Sequence, residues 1–364
     1  MTECLRSRGF LPCEDPETEL RVGASFAMLD ELGTELPSLL LEPDCRAYLA
    51  GRNIPKWPYE TIPNRLLGQA RLYYMRLAFL ASGYINQIGQ PACHLLPANI
   101  AKPLARICHL LHRPPVLSYD AYALYNWKRF DRNQPVELGN IDTLQNFVHL
   151  YDEHWFILVH VEIEAVAAEI LDAILGLEEQ EGFGDEALVN AALTKIADTL
   201  DRLLVVLKRI PEKLSDDLFF SKFRPYVSQF RDVEFEGVDL LPQNRHGEIG
   251  AQSSVMPTLI GFMKIPHQPN KLMRHLIDMR QYMPEAHRRW VEYAETLPDV
   301  KPVADREAWN RVLEGIAAFR EVHYHWAIKY IARRSSDPHE TGGTPYLKLL
   351  KYLVDETRAH MKPV

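Results

Sequence analysis

The sequence predicts an all-α protein, and three observations carry that expectation. Apolar residues recur at helical spacing through most of the chain beyond residue 140. Alternating apolar and polar runs of the kind that make half-buried strands are scarce. The chain has 364 residues, 47% of them hydrophobic, enough for one large core or two unequal ones.

Taken in order, the first hundred residues are punctuated by Pro12, Pro16, Pro37, Pro43, Pro55, Pro58 and Pro63, with one clear helix around Arg65 to Ser82. Residues 92–112 hold a second short helical stretch, which "HRPP" breaks. A smaller, mainly helical N-terminal domain over 1–112 is therefore expected, followed by a large all-helical domain over 113–364. The apolar run Phe156 to Leu177 contains His160, Glu162, Glu164, Glu169 and Asp172, so it reads as one core helix and not a membrane span. Glu186 to Ile210 places Leu188, Val189, Ala192, Leu193, Ile196, Leu200, Leu203, Leu204 and Leu207 on one stripe that Pro211 ends. Glu307 to Arg333 repeats the pattern with Trp309, Val312, Leu313, Ile316 and Phe319. Two polar, glycine-containing stretches, "LLPQNRHGEIGAQSS" (240–254) and "RRSSDPHETGGTP" (333–345), read as loops of the composition in which sites are built on a rigid scaffold.

Charge and cysteines narrow the class. A net charge of −8 argues against a nucleic-acid or anionic-membrane surface. Cys4, Cys13, Cys45, Cys93 and Cys108 form no paired spacing, which predicts free thiols in a reducing compartment and fits neither a disulfide framework nor a zinc site. The N-terminal "MTECLRSRGF" lacks a signal-peptide pattern, so a cytoplasmic protein is expected.

The sharpest question lies in "REVHYHWAIKYI" (320–331). Residues two apart on a helix point roughly 200° from one another, so His323 and His325 do not serve one site. Ile316, Phe319, Trp326, Ala327 and Tyr330 continue the apolar stripe through position 323, making His323 the buried candidate and His325 the wetter one. A histidine on an apolar face is most often a hydrogen-bonded core residue. The alternative is a metal ligand. HExxH, paired HxxE and CxxC spacings are absent, and one imidazole without companion ligands suits a haem, whose porphyrin supplies the other positions.

Seven segments occur in an order similar to that of the indoleamine 2,3-dioxygenases: "RPPVLSYDAYALYNWKRFD" (113–131), "WFILVHVEIEA" (155–165), "FFSKFRPYVS" (219–228), "GEIGAQSS" (247–254), "MRQYMPEAHRRW" (279–290), "FREVHYHWAIKYI" (319–331) and "TGGTPYLKLLK" (341–351). That resemblance covers roughly residues 113 to 360, and the N-terminal part more loosely. It implies an all-helical haem b enzyme that cleaves the indole C2–C3 bond of L-tryptophan with O2 to give N-formylkynurenine, with an unidentified electron donor as a further partner. It implies His323 as the proximal iron ligand and Arg320 beside the haem propionates; in the 240–254 loop, Ser253 and Ser254 are candidate donors to a propionate or to the backbone. Tyr119, Tyr122 and Phe219 match pocket positions, Arg224 the arginine that takes the substrate carboxylate, and Thr341 the threonine that closes over the amino-acid group; Phe156 shares a helix face with His160, four residues on, and Gly247 and Gly250 let backbone approach a ligand. Pro225 biases Arg224 away from helical geometry, toward a helix break facing a cavity.

Three departures from the family pattern matter. His160 stands where many animal members carry a small hydroxyl residue, and matches a histidine of the related tryptophan 2,3-dioxygenases. Hydrogen bonding to the indole N–H and orientation are its expected catalytic role, with a base role also open. Glu248 and Ile249 replace small residues and recharge or narrow the substrate side. Glu340 stands where a glycine is common, in a short stretch that reads as a lid hinged at Gly342 and Gly343. Two other functions stay open at this point: oxygenation of a modified tryptophan or indole, and a non-catalytic haem or tryptophan sensor.

Overall fold

A computed structural model describes residues 2–267, 271–334 and 346–363. It is 61% helical with only 4% strand, as the periodicity predicts. The helices are α1 (Thr2–Arg8), α2 (Ala27–Leu39), α3 (Cys45–Ala50), α4 (Leu67–Ile85), α5 (Ala98–Leu110), α6 (Tyr151–Val166), α7 (Ala168–Glu179), α8 (Glu186–Leu207), the single turn α9 (Asp216–Leu218), α10 (Val255–Phe262), α11 (Lys271–Met279), α12 (Glu285–Thr296), α13 (Arg306–Ala327) and α14 (Tyr346–Ala359). Among the described residues, five short strands escape a periodicity search because they hold two to six residues: β1 (Leu95–Leu96), β2 (Lys128–Arg129), β3 (Ile141–Asp142), β4 (Phe230–Phe235) and β5 (Gln243–Arg245). β4 pairs parallel with β1, placing Leu95 against Glu234, and antiparallel with β5. β2 and β3 form a separate antiparallel pair.

The buried apolar residues fall into two cores. One joins α2, α4, α5, residues 116–127, Phe147 and β4; the other joins α7, α8, α10 and α13 with Trp290 of α12. α6 separates them. Its Ile157, Leu158 and Val161 belong to the first core, and its Trp155, Val159 and Ile163 to the second. That double burial explains why the segment is apolar all round without being a membrane helix. No helix among the described residues is long and apolar enough to cross a membrane.

Two expectations are corrected here. The helix expected over 156–177 is two helices, interrupted at Ala167, where no glycine or proline marks a stop. The turn at Gly9 packs against this junction. Gly9 has φ +61, and a Cβ there would lie 2.8 Å from the Glu164 carbonyl oxygen, so both conformation and space call for glycine. The same turn folds the chain back so that Cys4 and Cys13 form a disulfide with Cα atoms 5.1 Å apart. Spacing along the sequence did not show that pairing, and the thiols expected to be free at these two positions are joined. Cys45, Cys93 and Cys108 are free.

α8 and α13 follow the predicted stripes closely. Asp185 and Asp305 cap them by accepting the N–H of Leu188 and Ala308. α13 lies along α8 through Trp309, Val312, Leu313 and Ile316, all fully buried, and along α14 on another face. Arg358 of α14 pairs with Glu314 and Glu321 of α13, on the stretch of that helix leading to His323.

Candidate cofactor and substrate site

Three π-helical turns, Asp120–Leu124 of the first core and Phe219–Phe223 and Ile328–Ala332 of the second, bring Tyr122, Phe219, Phe223 and Tyr330 to one region between the cores. Extra residues in a turn re-aim the side chains that follow, and such turns concentrate at functional sites. Two adjoining cavities open there, of about 200 and 210 Å³, and His160, Gly250, Ala251 and His323 border both.

The first cavity is walled by Ile163, Leu203, Leu207, Val255, Phe319 and Leu353, with Tyr119, Ser253, His267, Arg280 and Arg320 at its polar margins. His323 borders this space. It lies on the predicted stripe, between buried Ala327 and half-buried Phe319, but it is exposed and not buried. The expectation failed because this stretch of the stripe faces the cavities and not a packed helix. His325 borders neither cavity, and its Nδ1 lies 2.8 Å from the Glu321 carbonyl of its own helix. Among the described residues no cluster of three histidine, cysteine or acidic side chains could hold a bare metal ion. A single imidazole in an aliphatic slot suits a flat group that brings its own in-plane ligands, which is the donor chemistry of a haem.

The margins are less free than the sequence implied. Arg320 is buried, and its Nη1 donates to the Leu353 carbonyl at 3.0 Å and to Thr357 Oγ1 at 2.5 Å. Burial pulls its guanidinium down to about 10, with Glu356 opposing. Ser253 Oγ donates to Glu164 Oε1 at 2.6 Å, and the Tyr119 hydroxyl donates to the same oxygen at 2.9 Å. Glu164 is an acid that pattern reading missed as part of the site. Burial pushes it up to about 7, and its Oε2 has no hydrogen-bond partner. Its sequence signal was a carboxylate inside an apolar run, one turn beyond His160.

The second cavity holds Tyr122, Phe156, Phe219 and Arg224, together with Phe223, Trp326 and Tyr330, which the sequence reading did not single out. Phe156 lies 5.3 Å from Phe219 and 4.6 Å from His160 between ring centroids; Phe219 and Phe223 meet edge to face at 5.2 Å. Tyr119 is not in this aromatic group but borders the other cavity, 6.1 Å from His160. His160 Nδ1 lies 2.7 Å from the Phe156 carbonyl oxygen, an acceptor, so Nδ1 carries the proton and Nε2 is left as an acceptor. Burial holds its pKa below the usual histidine value, keeping the ring neutral.

Arg224 is helical, with φ −53 and ψ −38, contrary to the expectation from Pro225. The chain still breaks there. Phe219–Phe223 ends and a short 3-10 turn, Arg224–Val227, begins with Pro225 at its second position, where no proline N–H is required. Gly250 has nothing within 4 Å of an added Cβ and faces open cavity. Gly247 serves the protein's own packing instead of a ligand: a Cβ there would lie 2.0 Å from the Val227 carbonyl oxygen. Thr341, with Glu340, Gly342 and Gly343, lies outside the described residues.

Fold and site together define a helical protein in which an aliphatic cavity bordered by a histidine adjoins an aromatic pocket that holds a neutral imidazole. The comparisons place it further. The indoleamine 2,3-dioxygenase family model matches residues 4–345, and the chain belongs to that family. It is 28% identical to indoleamine 2,3-dioxygenase of Saccharomyces cerevisiae, over 93% of this chain and 81% of the yeast protein. It is also 28% identical to indoleamine 2,3-dioxygenase 1 of Rattus norvegicus, over 94% and 96% of the two chains. Similarity extends to a protein named myoglobin from Haliotis madaka, 27% identical over 79% of this chain and 81% of that one.

Proposed function

We propose that the protein is a haem-dependent dioxygenase that opens the indole of L-tryptophan between C2 and C3 to give N-formylkynurenine. The observation that carries this reading is His323, an imidazole at the boundary of two cavities, one aliphatic and one aromatic. Family membership supports it. Haem b, when bound, supplies a redox-active iron at which dioxygen is activated.

His323 is the residue that holds the iron, with Arg320 and Ser253 lining the same cavity as the polar groups nearest in kind to propionate partners. Phe156, Phe219 and Tyr122 confine a flat indole and exclude water. His160, neutral and with Nε2 as its accepting atom, takes the indole N–H and sets the ring's orientation. No proton transfer to His160 is needed for that task. Arg224 takes the substrate carboxylate. A reductant must keep the iron ferrous.

The test is turnover of haem-loaded protein with L-tryptophan, a reductant and air, read by product mass beside His323→Ala. A gain of two oxygen atoms, lost in the variant together with haem retention, is expected. A gain of one oxygen would move the reading to a relative acting on a different indole. The name of the Haliotis relative favours a second reading, reversible dioxygen binding, and unchanged tryptophan beside a stable oxygen complex would establish it.

A further inference from the structure

Glu248 is the one acidic side chain among the described residues that border the aromatic cavity. It is 8% exposed. Burial pushes its carboxyl up to about 8. A buried carboxyl without a donor is costly, and the cost falls when a cation or donor arrives from a ligand.

Its position follows from the backbone beneath it. Gly247 lies directly on the Arg224–Val227 turn, where the space for a Cβ is taken by the Val227 carbonyl. The Glu248 N–H donates to that same carbonyl oxygen at 3.2 Å. Glu248 is therefore tied to the turn that carries Arg224, and both side chains border one aromatic cavity. A guanidinium on this turn and an acid hydrogen-bonded to it, both bordering one pocket, complement the two charges of a free amino acid once the ammonium draws the proton off the acid.

Building on the dioxygenase reading, we infer that Glu248 accepts the α-ammonium of the amino-acid substrate while Arg224 holds its α-carboxylate, so that this chain selects indoles bearing an amine. Glu248 is thus a specificity-determining residue.

The experiment titrates L-tryptophan, tryptamine and indole-3-propionate into haem-loaded protein and follows the haem absorbance, so that affinity is read without turnover. Wild type is expected to bind L-tryptophan roughly tenfold or more tightly than indole-3-propionate, the scale of a charge-assisted hydrogen bond. Glu248→Gln, which keeps the size of the side chain, is expected to weaken L-tryptophan and tryptamine by about that factor and to leave indole-3-propionate unchanged or tighter. Equal weakening of all three ligands, or no change in any, overturns the assignment. So does a wild type that binds indole-3-propionate as tightly as L-tryptophan, a result that does not depend on the variant's folding. Amine selectivity without an oxygenated product would sink the dioxygenase reading and leave Glu248 standing; product without amine selectivity would do the reverse.

Discussion

Glu153 has no exposed surface, and three donors converge on its carboxyl. The N–H groups of Phe147 and Val148 both donate to Oε2 at 2.9 Å, and the Tyr122 hydroxyl donates to Oε1 at 3.2 Å. Burial outweighs those bonds and pushes the group up to about 8 from 4.5. The unfolded chain releases this proton near 4.5, while the folded protein keeps it to about 8. The stabilisation it contributes is therefore complete below about 4.5 and lost as pH rises through about 8. Glu153→Gln, which stays neutral, is expected to make the alkaline fall in stability shallower, measured as urea midpoints across that range. Glu164 and Glu248 titrate in the same direction, so the slope shrinks without vanishing. Identical slopes in both proteins would refute the account.

At the scale of elements, α13 is the part on which the site depends most. Gly315 sits in its interior, where glycine costs an isolated helix about 1 kcal/mol relative to alanine. Here the sign reverses. A Cβ at 315 would lie 2.9 Å from Leu200 Cβ, a fully buried atom set of α8. Gly315→Ala is expected to destabilise the protein by roughly 1–3 kcal/mol, the range for overpacking a closed interface. Because His323 lies roughly two turns further along the same helix, haem affinity should fall with it. Thermal melting and haem titration of the variant check both; a more stable protein would show that the α8 contact yields. The π turns act at this scale as well, since Phe219–Phe223 and Ile328–Ala332 bring Phe219 and Tyr330 to a ring separation of 5.7 Å.

Across the whole molecule, two cores share α6, and the helix between them carries both Phe156 and His160. The site is thus mounted on the element buried from both sides, where few rotamers are open. At the far end of that helix, α1 packs on α7 and the Cys4–Cys13 disulfide closes its turn. Joint replacement of Cys4 and Cys13 by serine is expected to cost about 2–3 kcal/mol by chain entropy. The effect should appear as a lower melting midpoint, with haem binding retained because neither residue borders a cavity. An unchanged midpoint would mean that the α1 segment unfolds independently of the cores.

What the sequence determined by itself is what depends on local period and residue type. The stripes of α8 and α13, the position of His323 on an apolar face and the order of the family's motifs were all legible there. The tertiary structure decided the rest, because those features are relations between distant segments. It opened cavities beneath His323, so that the imidazole expected to be buried is exposed to them. It brought Cys13 back to Cys4 through a turn at Gly9, divided one apolar run into α6 and α7, and set Tyr119 apart from Phe156 and Phe219. It also laid Gly247 on the turn of Arg224, placing an acid and a base on one pocket. Periodicity reports which face of an element is apolar; only packing reports what that face meets.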